Sequence, residues 1–268
     1  MKISVIVPTY KPDYYIWECL ESLMKQSLDK KKYEVLIILN GEKENYYSNI
    51  KNWIGENKVE NFKILYTKLN GVSNARNLGL EMSKGEYIVF IDDDDYIDRD
   101  YLKELLKKNE EIGKQGIAIA NYIDFDEITK EKIFISKYLN SEIDSNICTK
   151  RKVFSMVWAK SIPREIIDEI RFNFNFINGE DSLFMIEISK NINKIGVVDK
   201  ETFYFRRIRK NSAHYKKKNI KYIFNNFFEL LKYYFNFFRK EEYNKKFLLM
   251  RIIALIKGTF YQLKTLKF

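Results

Sequence analysis

EYIVFIDDDDYID (86–98) sets an apolar run directly against four consecutive aspartates. Tyr87 to Ile91 is apolar throughout rather than alternating, as in a strand covered on both faces of a parallel sheet. Like charges side by side repel, so a chain that needed only a soluble loop would scatter them. In an extended segment alternate residues share a face, which lets Asp92 and Asp94 converge while Asp93 points elsewhere. Two converging carboxylates make a hard oxygen site suited to Mg2+ or Mn2+, with positions left for water and phosphate oxygens. The competing reading is a solvated acidic loop that caps a helix beginning near Asp100. The place of the run, at the carboxyl end of an apolar strand, favours a site.

The same strand type recurs outward from this stretch. ISVIV (3–7), YEVLIILN (33–40) and FKILYT (62–67) are continuous apolar runs, the first expected to stop at Pro8. Tyr15–Lys25 and Val72–Met82 have helical spacing between them. Strand–helix alternation of this kind predicts a doubly wound α/β domain with a mostly parallel sheet, which binds ligands at the carboxyl ends of its strands. Thr9, Asn40 and Asp92 all sit at such ends. IAIANYIDF (117–125) reads as one further strand, 166–170 and 182–192 as helices, and ETFYFRRIRKNS (201–212) as an extended aromatic–basic segment.

Composition bounds the rest. The 268 residues are 46% hydrophobic and 31% charged, a globular balance rather than a disordered one. Two cysteines exclude a disulfide framework, and Cys19 falls on the apolar face of the first helix. No apolar run is long enough to span a bilayer and no signal peptide is evident, so a cytoplasmic chain is expected. Residues 205–268 carry 17 Lys and Arg against three Glu, so the +10 net charge is concentrated there and the body is slightly acidic. We divide the chain into a body, 1–215, and a basic, aromatic-rich helical tail, 216–268. On the tail's first helix Ile220, Ile223, Phe227, Leu231, Tyr234 and Phe238 line one face. That pattern suits packing on the body, a second copy of the chain, or an anionic membrane surface. A nucleic-acid partner would need a basic stripe on the body, and none is expected there.

Five ordered elements, SVIVPTY (4–10), a strand ending in Asn40-Gly41, NGVSNARNLGL (70–80), SKGEYIVFIDDDD (83–95) and NGEDSLF (178–184), together resemble family 2 glycosyltransferases. These are inverting nucleotide-sugar enzymes of GT-A fold, and the resemblance covers roughly residues 2–215. It implies that Pro8, Thr9 and Tyr10 border the nucleotide, that Arg76 lies near the sugar or diphosphate, that Asp92 contacts ribose or sugar with Asp93 beside it, and that Asp94 binds the metal. It implies Asp181 as general base, with Glu180 orienting the acceptor. Where the family usually has an Asp against the base, this chain has Asn40; an amide both donates and accepts, which suits uracil and points to a UDP-sugar. VFSMVWAKSIPREI (153–166) resembles the segment that shapes the acceptor site, where Trp158 is a sugar platform or a core residue. FRRIRKNSAHY (205–215) resembles a stretch that closes over the diphosphate, with Arg206 and Arg209 as the candidates and Arg207 unassigned. His214, the single histidine, is a metal ligand or a surface residue. The resemblance implies a glycan or lipid-linked acceptor, which would place the tail at the inner face of the cell membrane. A nucleotidyltransferase of related fold would want a Gly-rich basic loop after the first strand, and VPTYKPD (7–13) lacks it.

Overall fold

The apolar runs assemble into one sheet because each is covered from both sides. The computed structural model describes residues 1–138, 143–199, 201–209 and 219–266. Strand β1 (Ile3–Thr9), helix α1 (Tyr15–Met24), β2 (Tyr33–Asn40), α2 (Tyr46–Glu56), β3 (Phe62–Thr67), α3 (Val72–Met82) and β4 (Tyr87–Phe90) alternate along the chain. There follow β5 (Tyr96–Ile97), α4 (Tyr101–Ile112), β6 (Gly116–Ile119), β7 (Asn121–Asp126), β8 (Lys132–Ile135), β9 (Lys160–Pro163) and the short α5 (Arg164–Ile167). The body closes with α6 (Glu180–Ile188), β10 (Lys194–Val197) and β11 (Phe203–Ile208), and the tail is α7 (Ile220–Arg239) and α8 (Lys245–Thr265).

The main sheet has seven strands in the order β10-β6-β9-β4-β1-β2-β3. All pairs are parallel except those of β9, which runs antiparallel to β4 and β6. Along β1 the faces separate as a strand period requires. Ile3, Val5 and Val7 enter the core shared with α1 and α4, and Ile6 enters the core shared with α3 and α6. On that second face α3 lies close, since a Cβ at Gly79 would sit 2.4 Å from Ile6 Cγ2.

Three expectations are corrected. Pro8 does not stop β1, which continues through it to Thr9 in register with β2. Strand β4 pairs only as far as Ile6, so β1 beyond that point has an open side where a missing N–H is tolerated. Residues 117–125 are two strands, split at Ala120: β6 belongs to the main sheet and β7 to a second, four-stranded sheet, β5-β11-β7-β8. An apolar run carries no mark of a sheet switch. The helices expected over 166–170 and 182–192 are α5, ending at Ile167, and α6, beginning at Glu180 and passing into a 3-10 turn at Ser189–Asn191.

The tail is built into the core. Leu230, Tyr234, Phe237, Phe247, Leu248 and Ile252 belong to the same hydrophobic cluster as Ile6, Phe90, Phe154 and Leu183. The buried stripe of α7 is Ile223, Leu230, Tyr234 and Phe237, rotated from the expected face; Ile220 is 58% exposed, and Leu231 and Phe238 are only partly buried. Because α7 packs on α8 as well as on the body, its apolar arc is wider than a single stripe and the sequence does not say which edge is deepest. Phe247→Ala should therefore destabilise the whole chain by about 3–5 kcal/mol. Urea unfolding followed by circular dichroism should show one transition moved to lower denaturant, not a tail melting apart from an unchanged body.

Candidate active site

The loops after β1, β2 and β3 meet at one end of the main sheet. Asn40, at the end of β2, ties them together: its Nδ2 donates to Thr9 O (2.7 Å) and its Oδ1 accepts from Gly71 N (3.0 Å). Gly41 follows at φ +85°, where a Cβ would strike Asn70 Oδ1 and the Tyr10 ring. Tyr10 is half exposed beside this junction. The Asn40 amide is buried and engaged at both ends, so it acts as a brace and does not present itself to a base.

The four aspartates do not lie in a strand. Strand β4 ends at Phe90, and 92–95 form a turn closed by Asp95 N donating to Asp92 O (3.1 Å). A turn sends successive side chains in different directions, and each carboxylate has its own partner. Asp92 accepts from Arg76 Nη2 (2.9 Å), and Asp93 accepts from the Thr9 hydroxyl. Asp94 accepts from Arg209 Nε (2.9 Å) and Nη2 (2.6 Å) on one oxygen. Asp95 is buried and accepts from Tyr204 OH (2.6 Å) and Arg207 N (2.8 Å), fixing the turn to β11. Burial and the Asp94 charge push Asp93 up to about 8, and burial with the Asp92 charge raises Asp94.

Helix α6 brings Glu180 and Asp181 to the same place. Its entry at Gly179 is left-handed, φ +90°, which turns the chain so that the first helical residues face α3. Arg76, on α3 and 3% exposed, donates Nη1 to Asp181 Oδ1 (2.6 Å), stands 3.8 Å from Glu180 Oε1, and lies 5.4 Å over the Phe172 ring. Asn77, one residue on, exchanges both amide hydrogen bonds with Phe172 and so fastens the approach to α6. Arg76 is thus engaged by carboxylates at both outer nitrogens, beside the aspartate turn. The side chains of Glu180 and Asp181 are 13% and 19% exposed, reachable yet poorly solvated. Burial, with the Asp181 charge, pushes Glu180 up to about 7. Burial raises Asp181 as well, against the pull of Arg76.

The arginine-rich strand β11 divides differently from expectation. Arg209 reaches the aspartate turn and stacks 4.3 Å over Tyr15. Arg206 instead makes a bidentate pair with Asp124 on β7 (2.8 and 2.6 Å), away from the turn. Arg207, unassigned from sequence, is buried, donates Nε to Asp94 O (2.8 Å) and pairs with Glu18. Trp158 is a core residue, 7% exposed and stacked on Tyr204 at 5.0 Å, so it offers no open face to a sugar. His214 lies outside the described residues. Lys160, buried at the start of β9, lies with Trp158 in the segment that resembles the acceptor-shaping stretch, and sequence reasoning gave it no role of its own. Its signal was present: a lysine in the otherwise uncharged run VFSMVWAKSIP (153–163).

Residues 4–171 match the family model described as Glycosyl transferase family 2. The chain is 30% identical over 225 residues to the glycosyltransferase GlyA of Streptococcus pneumoniae, covering 79% of this chain and 31% of that protein. It is 29% identical over 219 residues to the poly(ribitol-phosphate) beta-N-acetylglucosaminyltransferase TarS of Staphylococcus aureus, covering 76% of this chain and 35% of that protein. The chain therefore spans about a third of the length of these relatives. The crystal structure of S. aureus TarS 1–349 in complex with UDP-GlcNAc shares the fold, with a TM-score of 0.77 at 21% identity over 96% of this chain and 72% of that one.

Removing the Arg76 charge leaves buried carboxylates facing one another. Arg76→Met should cost about 3–5 kcal/mol at pH 8. A carboxylate whose folded pKa is raised contributes stability at low pH and loses it as pH rises through the folded value, here about 7 for Glu180. Arg76 counters that rise, so the deficit of the variant should widen from pH 5 to pH 8 in urea titrations.

Proposed function

We propose that this chain, which belongs to glycosyl transferase family 2, moves a sugar with inversion from a nucleotide-sugar to a hydroxyl of a glycan or lipid-linked acceptor. One observation carries the assignment. Arg76 joins Asp181 to Asp92, so a carboxylate suited to take a proton is held at a fixed distance from the turn that ends the donor-side strand. Inversion needs a base opposite the leaving diphosphate, which removes the acceptor proton as its oxygen attacks the anomeric carbon. Asp181 is partly exposed and weakly solvated, and its raised pKa makes it a better proton acceptor than a surface carboxylate. Glu180, near neutrality in its titration, can keep a proton and donate it to an acceptor oxygen, orienting the hydroxyl.

On the donor side Pro8, Thr9 and Tyr10 border the nucleotide, with Asp92 and Asp93 toward ribose and sugar. Support for UDP no longer comes from Asn40, whose amide is used internally; it comes from the relative TarS, an N-acetylglucosaminyltransferase of known UDP-GlcNAc complex. The aspartate turn fits Mn2+ or Mg2+. Its oxygens are hard ligands, and burial raises both Asp93 and Asp94, with the Asp94 charge adding to the first and the Asp92 charge to the second, a crowding of charge that a divalent cation relieves. Among the described residues no three such ligands gather, so Asp94 would hold the ion together with water and diphosphate oxygens. When bound, the cation would supply countercharge to the departing diphosphate. Arg209, forked onto Asp94, fixes that carboxylate from the side of β11.

The tail adds an anionic-surface contact. Leu249, Ile253, Ile256 and Phe260 are exposed on α8 at helical spacing, and Phe224, Phe228 and Phe235 are exposed on α7. Lys245, Lys246, Lys257 and Lys264 are exposed on α8 as well. No described helix is long and apolar enough to cross a membrane, so the contact is a helix lying in the interface. The excess of lysine and arginine selects anionic lipid as the occupant over a second copy of this equally basic tail.

Two outcomes are expected. Release of UDP or GDP from a panel of the corresponding nucleotide-sugars with Mn2+ should identify a donor, and Asp181→Asn should lower transfer at least about 100-fold while calorimetric donor binding stays near wild type. Normal turnover in that variant would remove Asp181 as base. Ile253→Ser with Phe260→Ser should weaken sedimentation with phosphatidylglycerol vesicles without affecting unfolding. Unchanged vesicle binding, with a dimer broken in ultracentrifugation, would give the face to a second copy.

A further inference from the structure

Residues 156–160 join the 3-10 turn Arg151–Ser155, which packs on α6, to strand β9. The segment is conformationally costly. Ala159 sits at φ +55°, a region that a residue with a Cβ leaves unless its surroundings hold it there. Lys160 supplies the hold. It is 1% exposed, and its Nζ donates to the carbonyl oxygens of Met156 (2.6 Å) and Trp158 (2.8 Å), closing the turn on itself. Ala159 O accepts from Ala120 N (3.0 Å), which fastens the turn to the point where the chain changes sheets. Between the two clasped carbonyls lies Val157, buried, with its amide toward the Asp181 carboxylate, where it favours the ionised form.

We infer that Lys160 is a positioning residue for the base: it clasps the Met156–Trp158 turn so that the Val157 amide stays aimed at Asp181, and it sets a cation near that carboxylate besides Arg76. This rests on Asp181 being the base. A lysine this deeply buried is otherwise hard to account for, because burying an ammonium costs several kcal/mol and an apolar side chain would fill the space. Two carbonyl acceptors offset part of that cost, and the charge of Asp181 offsets more.

Burial lowers Lys160 to about 7 while Asp181 opposes the fall. Facing Asp181 are Arg76 from α3, Asp92 from the turn after β4, Glu180 on α6 and Lys160 at the start of β9. Of these the two cations hold its pKa down. Loss of Lys160 removes one cation and frees the Val157 amide, and both changes raise the base.

The test is the pH profile of kcat between pH 5 and 9 for the full chain, Lys160→Met and Lys160→Gln, with the donor found by the sugar-nucleotide panel and calorimetric donor binding measured in parallel. Donor affinity should stay within about 2-fold, kcat at pH 6.5 should fall at least about 10-fold, and the acid limb should move up by roughly half a unit or more. Acid limbs in both variants that overlay the wild type would overturn the inference. Because a buried substitution can prevent folding, a second measurement leaves Lys160 in place. The backbone 15N resonance of Val157 in the valine-labelled wild type should titrate with Asp181 and lose that inflection in Asp181→Asn. A Val157 amide indifferent to pH would equally overturn it. A wild type that turns over no nucleotide-sugar would sink the transferase assignment, and the Val157 titration would still decide whether the clasp addresses Asp181.

Discussion

A single buried guanidinium holds the two halves of the site in relation to each other. Arg76 leaves water almost completely, a change costing several kcal/mol for a lone ion, and recovers it only through carboxylates in good geometry. Those carboxylates come from the turn after β4 and from the first turn of α6, 16 and 105 positions along the chain from Arg76. Neither element can shift without stranding a buried charge, so the electrostatic penalty works as a spacing constraint. Phe172 beneath the guanidinium and the Asn77 bonds to the same residue keep the helix approach in register with α3. The distance between the aspartate turn and the start of α6 is therefore set inside the protein.

What the sequence disclosed follows from which regularities it encodes. Continuous apolar runs gave the parallel sheet, since burial on both faces leaves no room for polar alternation. The aspartates were visible as a charge anomaly, but their directions were not. Strand alternation was the wrong rule for them because β4 ends two residues earlier, and a turn has no period to extrapolate. Asn40, Arg76 and Trp158 share another ambiguity. Each is a residue type equally at home as a ligand contact or as internal bracing, and only the partners in space decide. For Asn40 the partners are Thr9 and Gly71, for Arg76 the carboxylates, and for Trp158 the Tyr204 ring.

The tail shows the same limit at a larger scale. Its amphipathic period was plain, and the concentration of positive charge from residue 205 onward was plain as well. Charge, however, reports the outer surface, while Leu230, Tyr234, Phe237 and Phe247 complete the core that carries Phe154 and Leu183. Arg251 on α8 even donates to Ser182, the residue after Asp181, and Tyr234 shares that hydroxyl. Whatever the tail touches outside the chain is therefore mechanically joined to the start of α6.

This arrangement separates two jobs that a glycosyl transfer asks of cations. Arg209 is partly exposed, with its charge shared between Asp94 and the Tyr15 ring, on the side of the turn where the proposed reading puts the diphosphate. Arg76 and Lys160 lie beneath, where no substrate reaches, and act on the carboxylates themselves. A base buried without such cations would keep its proton at neutral pH, and one exposed to water would be too weak to take a proton from an alcohol. Placing the countercharge behind Asp181 and leaving its front partly open meets both conditions. That opposition, more than the identity of the carboxylate, is what would suit Asp181 to the proposed role of base over that of a helix cap.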